Sequence, residues 1–135
     1  MTFTTLQGRK KSIKNVSKYK VKWDAKSRSK FQKAAKDFLR PYLENHLVFE
    51  EFPVAGTRMT FDFYIPAKRL AIEIDGEFHH SYNSHFHGHK LKFLGQVQRD
   101  LMKEEFCELN DIHLLRINKK EELTLKFFLE HDVIL

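Results

Sequence analysis

Helical spacing and strict alternation divide this chain into segments. From Ala25 to His46, the residues Phe31, Ala34, Ala35, Phe38, Leu39, Tyr42 and Leu43 recur three and four apart, which predicts a helix that Pro41 kinks or divides. "LVFEEF" (47–52), "MTFDFYI" (59–65) and Leu70–Asp75 read as three strands, the second rich in aromatic and β-branched types. Pro53–Thr57 and Pro66–Arg69 are the turns between them, so the second and third strands are expected to pair antiparallel. A long polar and aromatic loop (76–89) leads to a helix over Leu91–Leu109, with Leu94, Val97, Leu101, Met102 and Phe106 on a broad apolar face. "IHLLRI" (112–117) reads as a strand, and a last helix runs through Glu121–Glu130. Residues 1–24 alternate only at Tyr19, Val21 and Trp23, which predicts an extended arm ending in a short strand. The order helix, three strands, helix, strand, helix predicts an α/β domain over 25–135 built on a mixed sheet.

The stretch "LAIEIDGEFHH" (70–80) breaks the apolar logic of its own strand. Residues i and i+2 share a face, so Leu70, Ile72 and Ile74 fall on one side and Ala71, Glu73 and Asp75 on the other. Two carboxylates side by side on a mostly buried strand repel each other and lose hydration. A divalent cation is the simplest compensation. The antiparallel pairing brings Asp62 toward the same place.

Composition narrows the setting. The chain has 135 residues, 41% of them hydrophobic, with 13 Phe, which supports one core and argues against disorder. A lone Cys107 rules out an internal disulfide and a CxxC zinc site, and fits a reducing compartment. No apolar run approaches a membrane span and no export signal is evident, so a soluble, cytoplasmic protein with no membrane partner is expected. Net charge is +6, unevenly spread: residues 1–36 hold half of the 24 Lys and Arg but a single acid, Asp24. A basic segment on an acidic body points to nucleic acid, with a merely solvated arm as the alternative. The candidates for phosphate contact are Arg9, Lys10, Lys11, Lys14, Lys18, Lys20 and Lys22.

Asp62, Glu73 and Asp75 are the candidate metal ligands, and hard oxygen donors without a nearby thiolate suit Mg2+ or Mn2+. A cation held by one or two carboxylates, water and a phosphate is the usual arrangement for phosphoryl chemistry. His80, just past the strand, could take a proton from an attacking water, although His79 is adjacent and could replace it. Asp100 could orient that imidazole. The alternatives are structural: Asp62 as an exposed strand residue, Glu73 and Asp75 in salt bridges with Arg58, Lys68 or Arg69, and Asp100 as a partner of Lys103. Arg99 and Arg116 could each contact phosphate or pair with a local acid.

Asp62, "AIEIDGEFHH", "VQRD" (97–100) and "LLRI" (114–117) together resemble the PD-(D/E)XK, restriction-endonuclease-like nucleases. Within them the pattern is most similar to the very-short-patch repair endonucleases and the phage homing endonucleases with an EDxHD motif, over roughly residues 27–120. The resemblance implies a restriction-endonuclease-like mixed sheet flanked by helices. It implies that Asp62 binds metal, that the Ile74 carbonyl supplies a further ligand, and that His80 and Asp100 match the motif's histidine and last aspartate. Glu73 fits the wider motif's acidic position, while Asp75 stands where its lysine would be. The family's first-helix glutamate falls on Gln32 by spacing, or on Glu44 in another register. The cysteines of the repair branch's structural zinc are missing, so no such zinc is expected.

The implied function is Mg2+-dependent hydrolysis of DNA phosphodiester bonds, of the phage homing type, in the cytoplasm of an infected bacterium and with a homodimer as a candidate assembly. The alternatives are a resolvase of branched DNA, a non-catalytic DNA-binding module with a nuclease-like fold, and a protein-interaction domain.

Overall fold

A computed structural model of the chain describes residues 1–76 and 87–135, with the backbone alone for 87–90. A four-stranded sheet in the order β3-β4-β5-β6 forms its centre, made of Phe49–Pro53, Thr60–Ile65, Leu70–Ile74 and His113–Ile117. β3, β4 and β5 form an antiparallel meander, and β6 joins β5 in parallel, so the sheet is mixed. A parallel neighbour requires a crossover. The segment containing α2 (His87–Leu109) supplies it.

Alternation along β4 and β5 divides the core between the faces of the sheet. Phe63, Ile65, Leu70 and Ile72 pack with Leu115 and Ile117, under Ala35, Leu39 and Leu43 of α1 (Lys30–Leu43) and Phe128 of α3 (Leu125–Glu130). Tyr64 and Ala71 belong to a second cluster with Phe49, Phe52, Phe61 and, from α2, Phe106 and Cys107. Ser29 caps α1, its hydroxyl accepting from the Gln32 N–H at 3.0 Å, and Pro41 sits within the helix. The last helix starts later than the sequence pattern predicts. Lys120–Glu122 is a 3-10 turn, Glu122 accepts from the N–H groups of Asn118 and Lys119, and Thr124 caps α3 afresh. The acids that read as helical thus satisfy the turn before it.

Two expectations need correction. The apolar face of α2 is covered only toward its C-terminal end: Phe106 is buried, while Leu94 is 51% and Leu101 58% exposed. A helix of 23 residues is about 35 Å long, whereas strands of five or six residues span about 17–20 Å, so part of it has no sheet beneath it. Nor do residues 1–24 run as an extended arm. β1 (Thr2–Thr4) and β2 (Lys10–Ser12) form an antiparallel hairpin, followed by a 3-10 turn at Val16–Tyr19. Phe3 is inserted among Phe52, Tyr64 and Phe106, with ring centroids 6.0, 6.1 and 5.8 Å away. The Asn110 side chain completes the attachment, accepting from Thr4 N–H at 2.7 Å and donating to Thr4 C=O at 2.9 Å.

Gly56 lets the β3–β4 turn approach this hairpin. Its φ is +84°, and a Cβ there would lie 2.9 Å from Thr5 Cγ2. Gly56→Ala is therefore expected to cost at least about 1–2 kcal/mol from left-handed strain alone. A lowered urea midpoint with an unchanged slope would show it.

Candidate functional site

The β4–β5 register, with Phe63 opposite Ile72, leaves Asp62 and Glu73 as the next pair. Their backbones and side chains interlock. Asp62 N–H donates to Glu73 Oε2 at 3.0 Å, and Ile74 N–H donates to Asp62 Oδ2 at 2.7 Å. Both carboxylates are buried. Lys103 of α2 forms an ion pair with Glu73 Oε1, so Glu73 has a cation of its own. Among the described residues Asp62 has no cation in direct contact, and its Oδ1 has no hydrogen bond. Burial first and the Glu73 charge second push the Asp62 carboxyl up to about 8, with Glu51 adding to the rise while the Ile74 N–H and Lys103 oppose it.

The pair forms part of the wall of a cavity of about 470 Å³ whose other walls carry Arg28, Arg58, Arg99 and Lys103. Cations therefore surround a buried acidic floor. Asp75 lines the same cavity, but its carboxylate is held by Arg116 of β6 at 3.3 Å. That guanidinium also lies 3.4 Å from Asp100 Oδ1 and 3.7 Å from Glu104, and it donates to the Asp100 carbonyl at 3.0 Å. Asp100 additionally accepts from Gln96 at 2.9 Å. Asp62 and Glu73 thus stand together, while Asp75 and Asp100 share Arg116. Neither Glu73 nor Asp75 pairs with Arg58, Lys68 or Arg69 in the ion pairs formed here. His79 and His80 lie outside the described residues. Cys107 is buried behind the site, and burial pushes its thiol up to about 12, which keeps it protonated.

The first helix brings Gln32, not Glu44, to the cavity. Glu44 follows the helix end and pairs with Arg40. Gln32 is buried and donates to Glu50 Oε2 at 2.9 Å and Glu51 Oε1 at 3.0 Å, so β3 supplies the acids beside this position. Glu51 has φ +54°, a left-handed conformation in mid-strand, and also accepts from Thr60 Oγ1 at 3.1 Å. Behind it the Lys36 side chain is fully buried, its ammonium donating to Glu50 Oε1 at 2.9 Å, Lys22 C=O at 3.1 Å and Ala25 C=O at 3.0 Å.

A cation fits part of this arrangement. Asp62 offers a buried oxygen that is free among the described residues, with Glu73 beside it and the Ile74 backbone in the wall, which suits hard-metal binding through one or two carboxylates and water. A three-carboxylate cage does not fit, because Arg116 holds Asp75. Among the described residues no group of three or more His, Cys, Asp or Glu converges as a ready-made metal site.

Sequence reasoning gave Lys103 only as a partner for Asp100 and missed its pairing with Glu73, the Glu50–Glu51 pair and Lys36. Gln96, Arg99 and Lys103 do fall at i, i+3 and i+7, a polar stripe that marks one face of α2. Lys36 gave no such signal, since a lysine between Ala35 and Leu39 reads as solvated.

No family model matches the chain, and no solved structure does. Two curated viral proteins are similar to parts of it. One is Uncharacterized protein 033L of Invertebrate iridescent virus 3, 28% identical over 80 residues, covering 59% of this chain and 41% of the relative. The other is Uncharacterized protein 307L of Invertebrate iridescent virus 6, 29% identical over 92 residues, covering 64% and 41%. The similarity thus spans less than half the length of either relative, and it links this α/β chain to two longer viral proteins.

Proposed function

We propose that the chain is a metal-dependent DNA endonuclease of the restriction-endonuclease-like class. The observation that carries this reading is Asp62: a buried carboxylate with one oxygen unbonded among the described residues, beside Glu73, in a cavity whose walls are cationic. The helix–three strands–helix–strand order and the mixed sheet also support it. A divalent cation bound there would polarise a phosphodiester and stabilise the leaving oxygen. Arg28, Arg58 and Arg99 are placed to hold phosphate oxygens over the acidic floor. Lys103 pairs with Glu73 and fixes its direction, leaving Asp62 as the group that gains most from a cation. His80 is proposed as the proton acceptor. A homodimer would present two active sites, one to each strand, and so belongs to the double-strand form of the proposal.

Supercoiled plasmid incubated with Mg2+, Mn2+ or EDTA is expected to be nicked or linearised only with metal, and by neither Asp62→Ala nor His80→Ala. Cleavage that survives Asp62→Ala would refute the site. One observation favours a second reading, a DNA-binding module without catalysis: Glu73 and Asp75 are each neutralised by a cation of the chain itself. Tight, salt-sensitive binding without cleavage of plasmid or branched DNA would select it.

A further inference from the structure

The basic N-terminal residues form two groups in space. Arg9, Lys10 and Lys11 belong to the hairpin, beside Thr5, Gln7 and Gly56. Lys18, Lys20, Lys22, Lys26 and Arg28 line a separate cleft of about 470 Å³. Arg28 lines this cleft and the Asp62 cavity alike, so the two adjoin. We propose that this cleft binds the phosphates of the DNA strand on one side of the bond to be cut, with Arg28 at the junction between track and reaction centre. The inference rests on the nuclease reading, adds Lys26 to the contact surface and makes Arg28 the link between the two cavities.

Two features distinguish the cleft from a solvated basic tail. Its backbone is anchored at several points. Lys20 bridges to Phe49, and Val21 N–H donates to Val48 C=O at 2.9 Å. Lys36 holds the Lys22 and Ala25 carbonyls, and Ser27 donates to Glu50 Oε2 at 2.7 Å. All five cationic side chains remain exposed on that anchored frame, so phosphate binding would cost little backbone ordering. The charge is also little cancelled. Asp24, the acid within this stretch, is turned away to Arg40 at 2.7 Å. In the cleft wall Glu50 is paired with Lys36, and Glu51 is held by Gln32 and Thr60 with Arg28 3.8 Å away. The N-terminus of α1 begins at the junction, immediately after Arg28 and Ser29, and adds a favourable dipole for anions.

The test is anisotropy titration of a short labelled duplex in EDTA with the full chain. The variants are Lys22→Ala/Lys26→Ala/Arg28→Ala and the hairpin triple Arg9→Ala/Lys10→Ala/Lys11→Ala, which removes equal charge. All six side chains are exposed, and circular dichroism confirms folding before titration. The cleft triple is expected to weaken binding about 10- to 100-fold and to lower the log Kd–log salt slope by about 2.7, or 0.9 per lost phosphate contact. The hairpin triple is expected to change affinity less than about 3-fold. Equal losses in both variants would overturn the proposal in favour of diffuse attraction. Duplex binding that the cleft triple leaves intact would overturn the cleft alone. No duplex binding by the unaltered chain, or tighter capture by phosphatidylserine vesicles, would overturn the cleft and the nuclease reading together.

Discussion

Asp62→Asn should abolish metal-dependent cleavage and, in the absence of metal, make the protein more stable at alkaline pH. The second effect follows from the first residue's surroundings. Burial and Glu73 raise the Asp62 carboxyl from 3.8 to about 8, so across that window the folded chain retains a proton that the unfolded chain has released. Where the folded state binds more protons, stability falls as pH rises. The loss begins above the unfolded value near 4 and is complete above about 8. Each unit corresponds to about 1.4 kcal/mol, which sets a ceiling of about 5–6 kcal/mol; charge sharing with Glu73 makes about 2–4 kcal/mol the expected size.

Asparagine imitates the protonated carboxyl that the fold prefers. The variant should therefore melt about 10 °C higher than the parent near pH 8 and alongside it only at or below about pH 4, both in EDTA. Added Mg2+ or Mn2+ should close the gap at alkaline pH by stabilising the parent alone. Cleavage should fall at least about 10³-fold, equivalent to about 4 kcal/mol of transition-state stabilisation. Parallel pH profiles for the two proteins would mean that Asp62 is ionised and already compensated. In that case Asp62 would have no need of a bound cation.

The pairing of Asp62 with Glu73 was legible in the sequence because it depends on local rules. Side-chain alternation places Glu73, and a tight turn after "MTFDFYI" makes β4 and β5 antiparallel neighbours. The mixed sheet followed from the element order for the same reason. Cations that reach this acidic strand from elsewhere were not legible. Lys103 is 30 positions from Glu73, and Arg116 is 41 from Asp75. Alternation says which side of a strand an acid takes, but not which helix lies against it. The N-terminal hairpin shows the same limit. Its attachment includes Phe3, set among distant rings, and Asn110, which lies 106 positions from Thr4, and neither leaves a periodic trace. For α2 the spacing marked an apolar face without indicating how much of the helix the sheet could cover.

Lys36→Met should be the most destabilising substitution in the first helix, at about 3–5 kcal/mol. The ammonium is fully buried and uses its three donors on Glu50, Lys22 C=O and Ala25 C=O. Its removal leaves the Glu50 carboxylate, 13% exposed in its side chain, without its cation, and two carbonyls lose a donor. The double variant Lys36→Met/Glu50→Gln should be less unstable than the single one, because a neutral amide can keep the bonds from Ser27 and Gln32 without a stranded charge. A coupling energy of about 1–3 kcal/mol from urea unfolding of the full cycle would establish the pair. Additive losses would mean that the lysine acts chiefly through the two carbonyls. Those carbonyls belong to the segment that carries the basic cleft. Lys36→Met should therefore weaken duplex binding at temperatures where the protein is still fully folded, although its side chain is sealed from solvent. The same lysine that neutralises Glu50 of β3 thereby holds the segment that carries the cations at the surface.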